Sequence, residues 1–453
     1  MITTMKKIAA YALLTGMTGF MNPQPAWAGV AIEHWTLASG AEIFLVQSPS
    51  IPMVDVQMDF DAGSRRDPAQ QAGLASVTAS LSGMGLLADP TRGDAEMDEN
   101  ALGEAWADLG ANLGVHASHD RMSFELRSLT YPDLLARAVQ LASRQLALPA
   151  FAPDVWQRER ATLSAAIKEA NTRPATLAAR AFNQAVFGDH PYGHEMTESS
   201  LERIEVSHMA DVYRRLILPC RARVSVVGAL TRPQTDALVT QLLSRLPATN
   251  ECPALPPVAE VLALTQAHEV AIAFDAAQAQ VLIGQPGYKR DDPDFFALLV
   301  GNHILGSGGF VSRLTTEVRE KRGLSYSAYS SFEPGLHAGA FSISLQTRPD
   351  QATQAVQVAR SVLSGFVADG PTQAELTAAK DHLIGGFALR LDSNHKLLEN
   401  LVNIAWNHLP LNYLDTWTQQ IARVTVHDIR AAFGRKLRPD KMVTVVLGAK
   451  DKK

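Results

Sequence analysis

Residues 213–229 read YRRLILPCRARVSVVGA, and residues 433–449 read FGRKLRPDKMVTVVLGA. Each stretch opens on an aromatic residue, Tyr213 or Phe433, and places a proline six positions on, Pro219 or Pro439. Each then enters a β-rich run closed by Gly-Ala, at Gly228-Ala229 and Gly448-Ala449, so every anchor shares an offset of 220. Farther upstream, Ser123-Phe124-Glu125-Leu126 matches Ser342-Ile343-Ser344-Leu345 at an offset of 219. Two long amphipathic helical patterns follow that run in both copies. One offset kept over so long a stretch marks an internal duplication, so the chain reads as two related halves.

The grammar of one half predicts its architecture. Val54, Val56, Met58 and Phe60 alternate along residues 54–60 and define a half-buried strand. Residues 72–84 and 95–109 are predicted helical, and 121–128 form a strand. Residues 132–147, 153–171 and 175–187 read as helices, and 223–228 as the closing strand. Locally pairing strands with long helices gathered between them predict an α+β fold. Each half is then a mostly antiparallel sheet with helices packed on one face. Residues 249–257, TNECPALPP, carry prolines and no helical period. They set a linker at 248–264 between halves at 29–247 and 265–453.

Composition narrows the function. The chain has 453 residues, of which 46% are hydrophobic and 19% charged, which supports sizeable cores and excludes a disordered chain. Its 41 basic and 46 acidic residues give a formal charge of -5, and no basic run offers a footprint for nucleic acid. Two cysteines are too few for a disulfide-stapled scaffold or a cysteine-rich zinc module. No apolar run reaches the roughly 18–20 residues of a membrane span. Residues 1–28 read as a signal peptide. Lys6 and Lys7 precede an apolar stretch from Ile8 to Phe20, and Ala26-Trp27-Ala28 is a small-x-small cleavage site. The expectation is export, to a periplasm or beyond the cell. Cys220 and Cys252 could pair there, but their spacing alone leaves the bond open.

Three places bear on chemistry. The first is Ala72-Gly73-Leu74-Ala75-Ser76-Val77-Thr78-Ala79-Ser80-Leu81. Ser76, Ala79 and Ser80 share one helical face, and close packing of that face is the plain reading. The second is the helix from Pro153 to Asn171. The third is the glycine-rich run Leu305-Gly306-Ser307-Gly308-Gly309-Phe310, followed by Val318-Arg319-Glu320-Lys321-Arg322-Gly323-Leu324-Ser325-Tyr326. No Walker lysine follows the glycines, so phosphate binding is not indicated. Alone, Arg319 would be a solvated helix end and Tyr326 a strand core residue. His116 with His119, and His190 with His194 in Phe187-Gly188-Asp189-His190-Pro191-Tyr192-Gly193-His194, do not stand at metal-ligand geometry; the latter run reads as a turn.

These segments resemble the insulinase/pitrilysin family of zinc metallopeptidases, the inverzincins. Gly63-Ser64-Arg65-Arg66-Asp67-Pro68 and Ala72-Gly73-Leu74-Ala75 match the flanks of that family's H-x-x-E-H motif, and Glu159-Arg160 matches the start of its E-R-x-x-x-x-x-E stretch. The motif itself is missing. Ser76 and Ser80 stand where the two zinc histidines would be, Ala79 replaces the general-base glutamate, and Ala166 replaces the third ligand. Serine and alanine cannot supply the donors that zinc requires. The family's second half carries an Arg and a Tyr seven residues apart, matched here by Arg319 and Tyr326. The resemblance implies a clamshell-type chain with no zinc of its own, which supplies these two side chains in trans to a zinc-bearing homologous subunit. Unfolded peptides would be the substrates. The alternatives are a catalytically inactive peptide-binding or scaffold protein, alone or as a homodimer, and a hydrolase using Ser76 or Ser80. The last lacks a base at motif spacing.

Overall fold

The computed structural model describes residues 29–248 and 251–448. The leader reading at 1–28 lies outside them. The first half runs β1 (Glu33–Thr36), β2 (Glu42–Gln47), β3 (Met53–Phe60), α1 (Leu74–Leu81), α2 (Glu99–Leu109), β4 (Asn112–Ala117), β5 (Met122–Leu129), α3 (Pro132–Ala147), α4 (Pro153–Ala170), α5 (Pro174–Phe187), α6 (Glu198–Glu202), α7 (Val206–Leu216), β6 (Arg223–Gly228) and α8 (Arg232–Leu243). The second runs β7 (His268–Ile272), β8 (Ala279–Pro286), α9 (Phe295–Asn302), β9 (Ser325–Phe332), β10 (Ala340–Thr347), α10 (Ala352–Asp369), α11 (Gln373–Gly385), α12 (Asn394–Trp406), α13 (Tyr413–Arg423), α14 (Val426–Lys436) and β11 (Val443–Leu447).

The strands form two sheets, in the orders β1-β2-β6-β3-β5-β4 and β7-β11-β8-β10-β9. In each, the closing strand of the half lies between a parallel and an antiparallel neighbour. β6 pairs parallel with β2 and antiparallel with β3, and β11 pairs parallel with β7 and antiparallel with β8. All other pairings are antiparallel. The duplication is visible residue by residue. The starts of α3 and α10, α4 and α11, α5 and α12, α7 and α14, and β6 and β11 each differ by 220.

Each sheet buries one face under helices of its own half. Val54, Val56, Met58 and Phe60 are fully buried there, against Leu74, Val77 and Leu81 of α1 and Ala138, Ala142 and Leu146 of α3. The repeat's aromatic anchors sit in these cores. The Tyr213 ring meets Phe124 and Phe151 edge-on and its hydroxyl donates to the Leu146 carbonyl at 2.7 Å. Phe433 packs against Phe366 and Phe332. The opposite faces are not left to solvent either. Leu398, Leu401, Val402 and Ala405 of α12 cover Phe44, Val46 and Val227 of the first sheet. Ala178, Phe182 and Val186 of α5 cover Val443, Val445 and Leu447 of the second. Each half therefore lends one helix to the other's sheet. This explains why β2 is buried from Ile43 to Val46 without alternation.

Residues 251–264 hold no helix or strand. They are nonetheless pinned. Cys252 is disulfide-bonded to Cys220, with Cα atoms 5.8 Å apart. Arg66 donates to the Pro256 carbonyl, and the His190 ring hydrogen-bonds the Ala259 carbonyl at 3.0 Å.

Candidate functional site

The segment before α1 builds a buried polar clamp. Arg65 bridges Asp61 at 2.7 Å and Asp120 at 3.1 Å, and Arg66 also reaches Asp61 at 2.7 Å. Asp67 is buried, and its two carboxylate oxygens accept the Gly73 and Ala75 backbone N–H groups, each at 3.0 Å. Gly73 has φ +100, a left-handed conformation that glycine adopts without strain. Burial pushes the Asp67 carboxyl from its ordinary 3.8 up to about 7, against the pull of those amides. The matching flanks thus have a structural role, holding the start of α1.

That helix offers no metal ligands. Ser76 and Ser80 are exposed, whereas Ala79 is buried at 2%. The three positions therefore do not form one packed face, which corrects the expectation of close packing: the serines look outward and only Ala79 is packed. Ala166 is exposed on α4. Two neutral hydroxyls and two methyl groups do not fit zinc. Among the described residues, no group of three or more His, Cys, Asp or Glu side chains could hold a metal ion. His116 lies on β4, its ring 3.5 Å from Glu125 across the strand pair. His119 instead meets Ser64 at 3.2 Å and packs against Tyr192. His190 caps the one-turn helix Pro191–Gly193, in keeping with the turn reading.

The second-half segment is built differently. The glycine run forms a π-helical turn at His303–Ser307 and a 3-10 turn at Gly309–Val311. A Cβ on Gly306 would lie 2.4 Å from the Ser330 backbone nitrogen, so glycine is what lets this turn rest on β9. A second π-helical turn, Thr315–Glu320, carries Arg319. Such turns are uncommon and are frequent at functional sites.

Tyr326 lies on β9, the edge strand of its sheet. Simple alternation would place it with the buried Ala328 and Ser330. The β9–β10 register shifts between Leu345, paired with Ala328, and Thr347, paired with Ser325. The extra residue is a β-bulge, and a bulge re-aims side chains. Tyr326 is consequently 81% exposed, not part of the core.

Arg319 and Tyr326 are brought together. The guanidinium lies 4.6 Å from the centre of the Tyr326 ring and 4.9 Å from that of Phe310, itself 68% exposed. The nearby Glu317 is taken by Lys321 at 2.7 Å and Arg322 at 2.6 Å. Among the described residues the Arg319 guanidinium has no hydrogen bond or ion pair. It is a planar cation braced by two rings, with its N–H donors unspent, on the wall of a cavity of about 420 Å³. No hydrogen bond, ion pair or ring contact joins Arg319 or Tyr326 to Ser76, Ser80 or Ala166. Sequence reasoning missed Phe310 and Asp67. An aromatic residue after two glycines, and an aspartate just ahead of a helix start, were the available signals.

Residues 42–200 match the family model described as insulinase (peptidase family M16), and residues 203–383 match that of the peptidase M16 inactive domain. A crystal structure of a peptidase M16 inactive domain from Pseudomonas fluorescens superposes with a TM-score of 0.87 at 31% identity, covering 93% of this chain and 99% of that one. The chain belongs to the M16 peptidase family. An uncharacterized zinc protease of Mycobacterium bovis is 26% identical over 94% of this chain and 95% of that protein. A non-peptidase homolog of Helicobacter pylori is 26% identical over 84% of this chain and 85% of its own length. Within M16, the serines and alanines at the motif positions place this chain with the non-catalytic, inactive-type members.

Proposed function

We propose that this chain is the non-catalytic subunit of a heteromeric M16 zinc peptidase in an exported compartment. It would form half of the peptide chamber and lend Arg319 and Tyr326 to the zinc site of a homologous partner subunit. The observation that carries this reading is the unspent Arg319 guanidinium, braced by Phe310 and Tyr326 and open to a cavity, in a chain whose own motif helix offers only Ser76, Ala79 and Ser80. The partner brings zinc and general base. This chain brings a guanidinium and a phenol, both donors to the oxygen on which negative charge develops as a peptide carbonyl is attacked. Arg319 and Tyr326 have no contact with Ser76 or Ser80, which supports a role outside this chain's own first half. The disulfide between Cys220 and Cys252 supports an oxidising compartment.

The test is reconstitution with a partner that carries H-x-x-E-H, scored by cleavage of a quenched fluorescent peptide per assembled complex. The chain alone should bind no stoichiometric zinc and cleave nothing. Mixed with the partner it should form a species of about twice the subunit mass and raise turnover. A chain that stays monomeric beside the partner, or a partner equally active without it, leaves the scaffold reading in front.

A further inference from the structure

A second cavity, of about 360 Å³, lies far along the second half and is lined by residues of four elements and the loops between them. Arg290 reaches it from the segment after β8 and is only 8% exposed. Its Nε donates to the Asn403 side-chain carbonyl oxygen on α12 at 3.2 Å, and its Nη2 to the Tyr413 hydroxyl on α13 at 2.8 Å. The guanidinium sits 3.8 Å from the centre of the Phe295 ring. Its Nη1 has no hydrogen-bond partner among the described residues. Arg390 lines the same cavity, its guanidinium 5.4 Å from the Trp417 ring, with no hydrogen bond or ion pair to that guanidinium among the described residues.

Two cations beside one cavity, one of them buried, are costly unless an anion answers them. Most of the acids at hand are committed elsewhere. Asp292 pairs with Lys436, and Asp294 with Arg435 at 2.6 Å. On and just before the flanking helices, Asp392 pairs with Lys396, Glu399 with His395, and Asp415 accepts the Val30 backbone N–H. Asp291 and Glu333 are exposed, and no ion pair joins either to Arg290 or Arg390. Neutral donors and acceptors on the wall, Asn302, Asn400 and Asn403, add no negative charge. The fold therefore keeps a buried, partly unspent guanidinium beside the same cavity as a second one, and among the described residues no acid pairs with either.

We propose that this cavity binds a small oxyanion, with Arg290 Nη1 and Arg390 as its charged donors. Carboxylates and phosphates share the chemistry that a guanidinium recognises. Because Arg290 and Asn403 join the loop to α12, the helix lent to the first sheet, the anion would also fasten the two halves together.

The purified full chain is titrated with sodium phosphate, N-acetylphenylalanine, its neutral amide, and sodium chloride at matched ionic strength, with thermal unfolding as the readout. Phosphate or the free acid should raise Tm in step with the logarithm of its concentration once that exceeds Kd, while the amide and chloride should not. Such a rise with the acid alone assigns a peptide-type carboxylate, and with phosphate alone a phosphate. Arg390→Gln, at an exposed position, should not lower the unliganded Tm and should weaken the anion by about tenfold or more, the worth of one charged hydrogen bond. Arg290→Lys keeps a cation but removes the fork, and should weaken it similarly. No rise above the chloride control with either anion, or an affinity unchanged within about twofold in Arg390→Gln, a range that is small beside one charged hydrogen bond, overturns the proposal.

Discussion

The helix α1 and the Arg319 turn come from opposite halves of one duplicated chain, and they have fared in opposite ways. At α1 the scaffolding survives: Asp67 still holds the Gly73 and Ala75 amides, and Arg65 still bridges Asp61 and Asp120. What it scaffolded is gone, since Ser76, Ala79 and Ser80 carry no zinc donors. In the other half the pair proposed to act in trans, Arg319 and Tyr326, is in place and in contact. A bulge turns Tyr326 outward, Phe310 flanks Arg319, and Gly306 lets the turn sit against β9. The contrast teaches that scaffold and chemistry are separable. A helix start can be kept for folding alone, whereas a half-buried arginine braced by two rings, with no hydrogen bond or ion pair among the described residues, does little for stability.

The largest effect expected bears on the scaffold side. Because Asp67 titrates near 7 when folded and at its ordinary 3.8 when unfolded, the folded state holds its proton more tightly. That contribution is fully present below about pH 4 and is lost as pH rises through about 7, by up to about 4 kcal/mol. Chemical denaturation of wild type and Asp67→Asn from pH 4 to 8 should show wild type losing stability relative to the non-titrating variant as pH rises. A difference that does not move with pH would mean an ordinary carboxylate at this site.

On the chemical side, Arg319→Ala or Tyr326→Phe should lower turnover by the reconstituted complex about 100- to 1,000-fold, the cost of losing an oxyanion donor. Assembly should persist. If instead stability falls while activity per complex holds, the pair is structural and the contrast between the halves collapses.

A finer cut separates the motif positions from one another. Ala79→Glu places a carboxylate at a buried site and should destabilise by about 2–3 kcal/mol. Ser76→His and Ser80→His, at exposed sites, should stay within about 0.5 kcal/mol. Equal costs in urea unfolding would show that the helix faces are not as described. The smallest effect is set by Phe310→Leu, which removes one ring from Arg319. A loss of about 0.5–1 kcal/mol corresponds to a two- to fivefold drop in turnover. No change would mean that Tyr326 alone positions the guanidinium.

Much of this was legible in the sequence because it is local or periodic. The offset of 220 located β6 and β11, and amphipathic spacing bounded α3 as observed, at 132–147. The missing zinc donors were legible one position at a time. The trade of α5 for α12 was not, because it depends on which sheet a helix meets after a long excursion. A single inserted residue opposite Leu345–Thr347 reversed the side on which Tyr326 stands, and no propensity announces a bulge. Asp67 and Arg290 were overlooked for a related reason: a buried charge is recognised by its surroundings, not by its neighbours in the chain. The spacing of Cys220 and Cys252 could not close a bond that β6 and the pinned linker bring within reach.

The two lent helices carry a consequence for ancestry. α5 and α12 are equivalents in the repeat, and each covers the far side of the other half's sheet. A lone half of this design would leave Phe44, Val46 and Val227, or their counterparts Val443, Val445 and Leu447, open to water. Two separate copies could have shielded each other in the same crossed manner. The present molecule then has the geometry of a symmetric pair whose genes fused. The join at 248–264 would have come after the embrace of the helices, not before it.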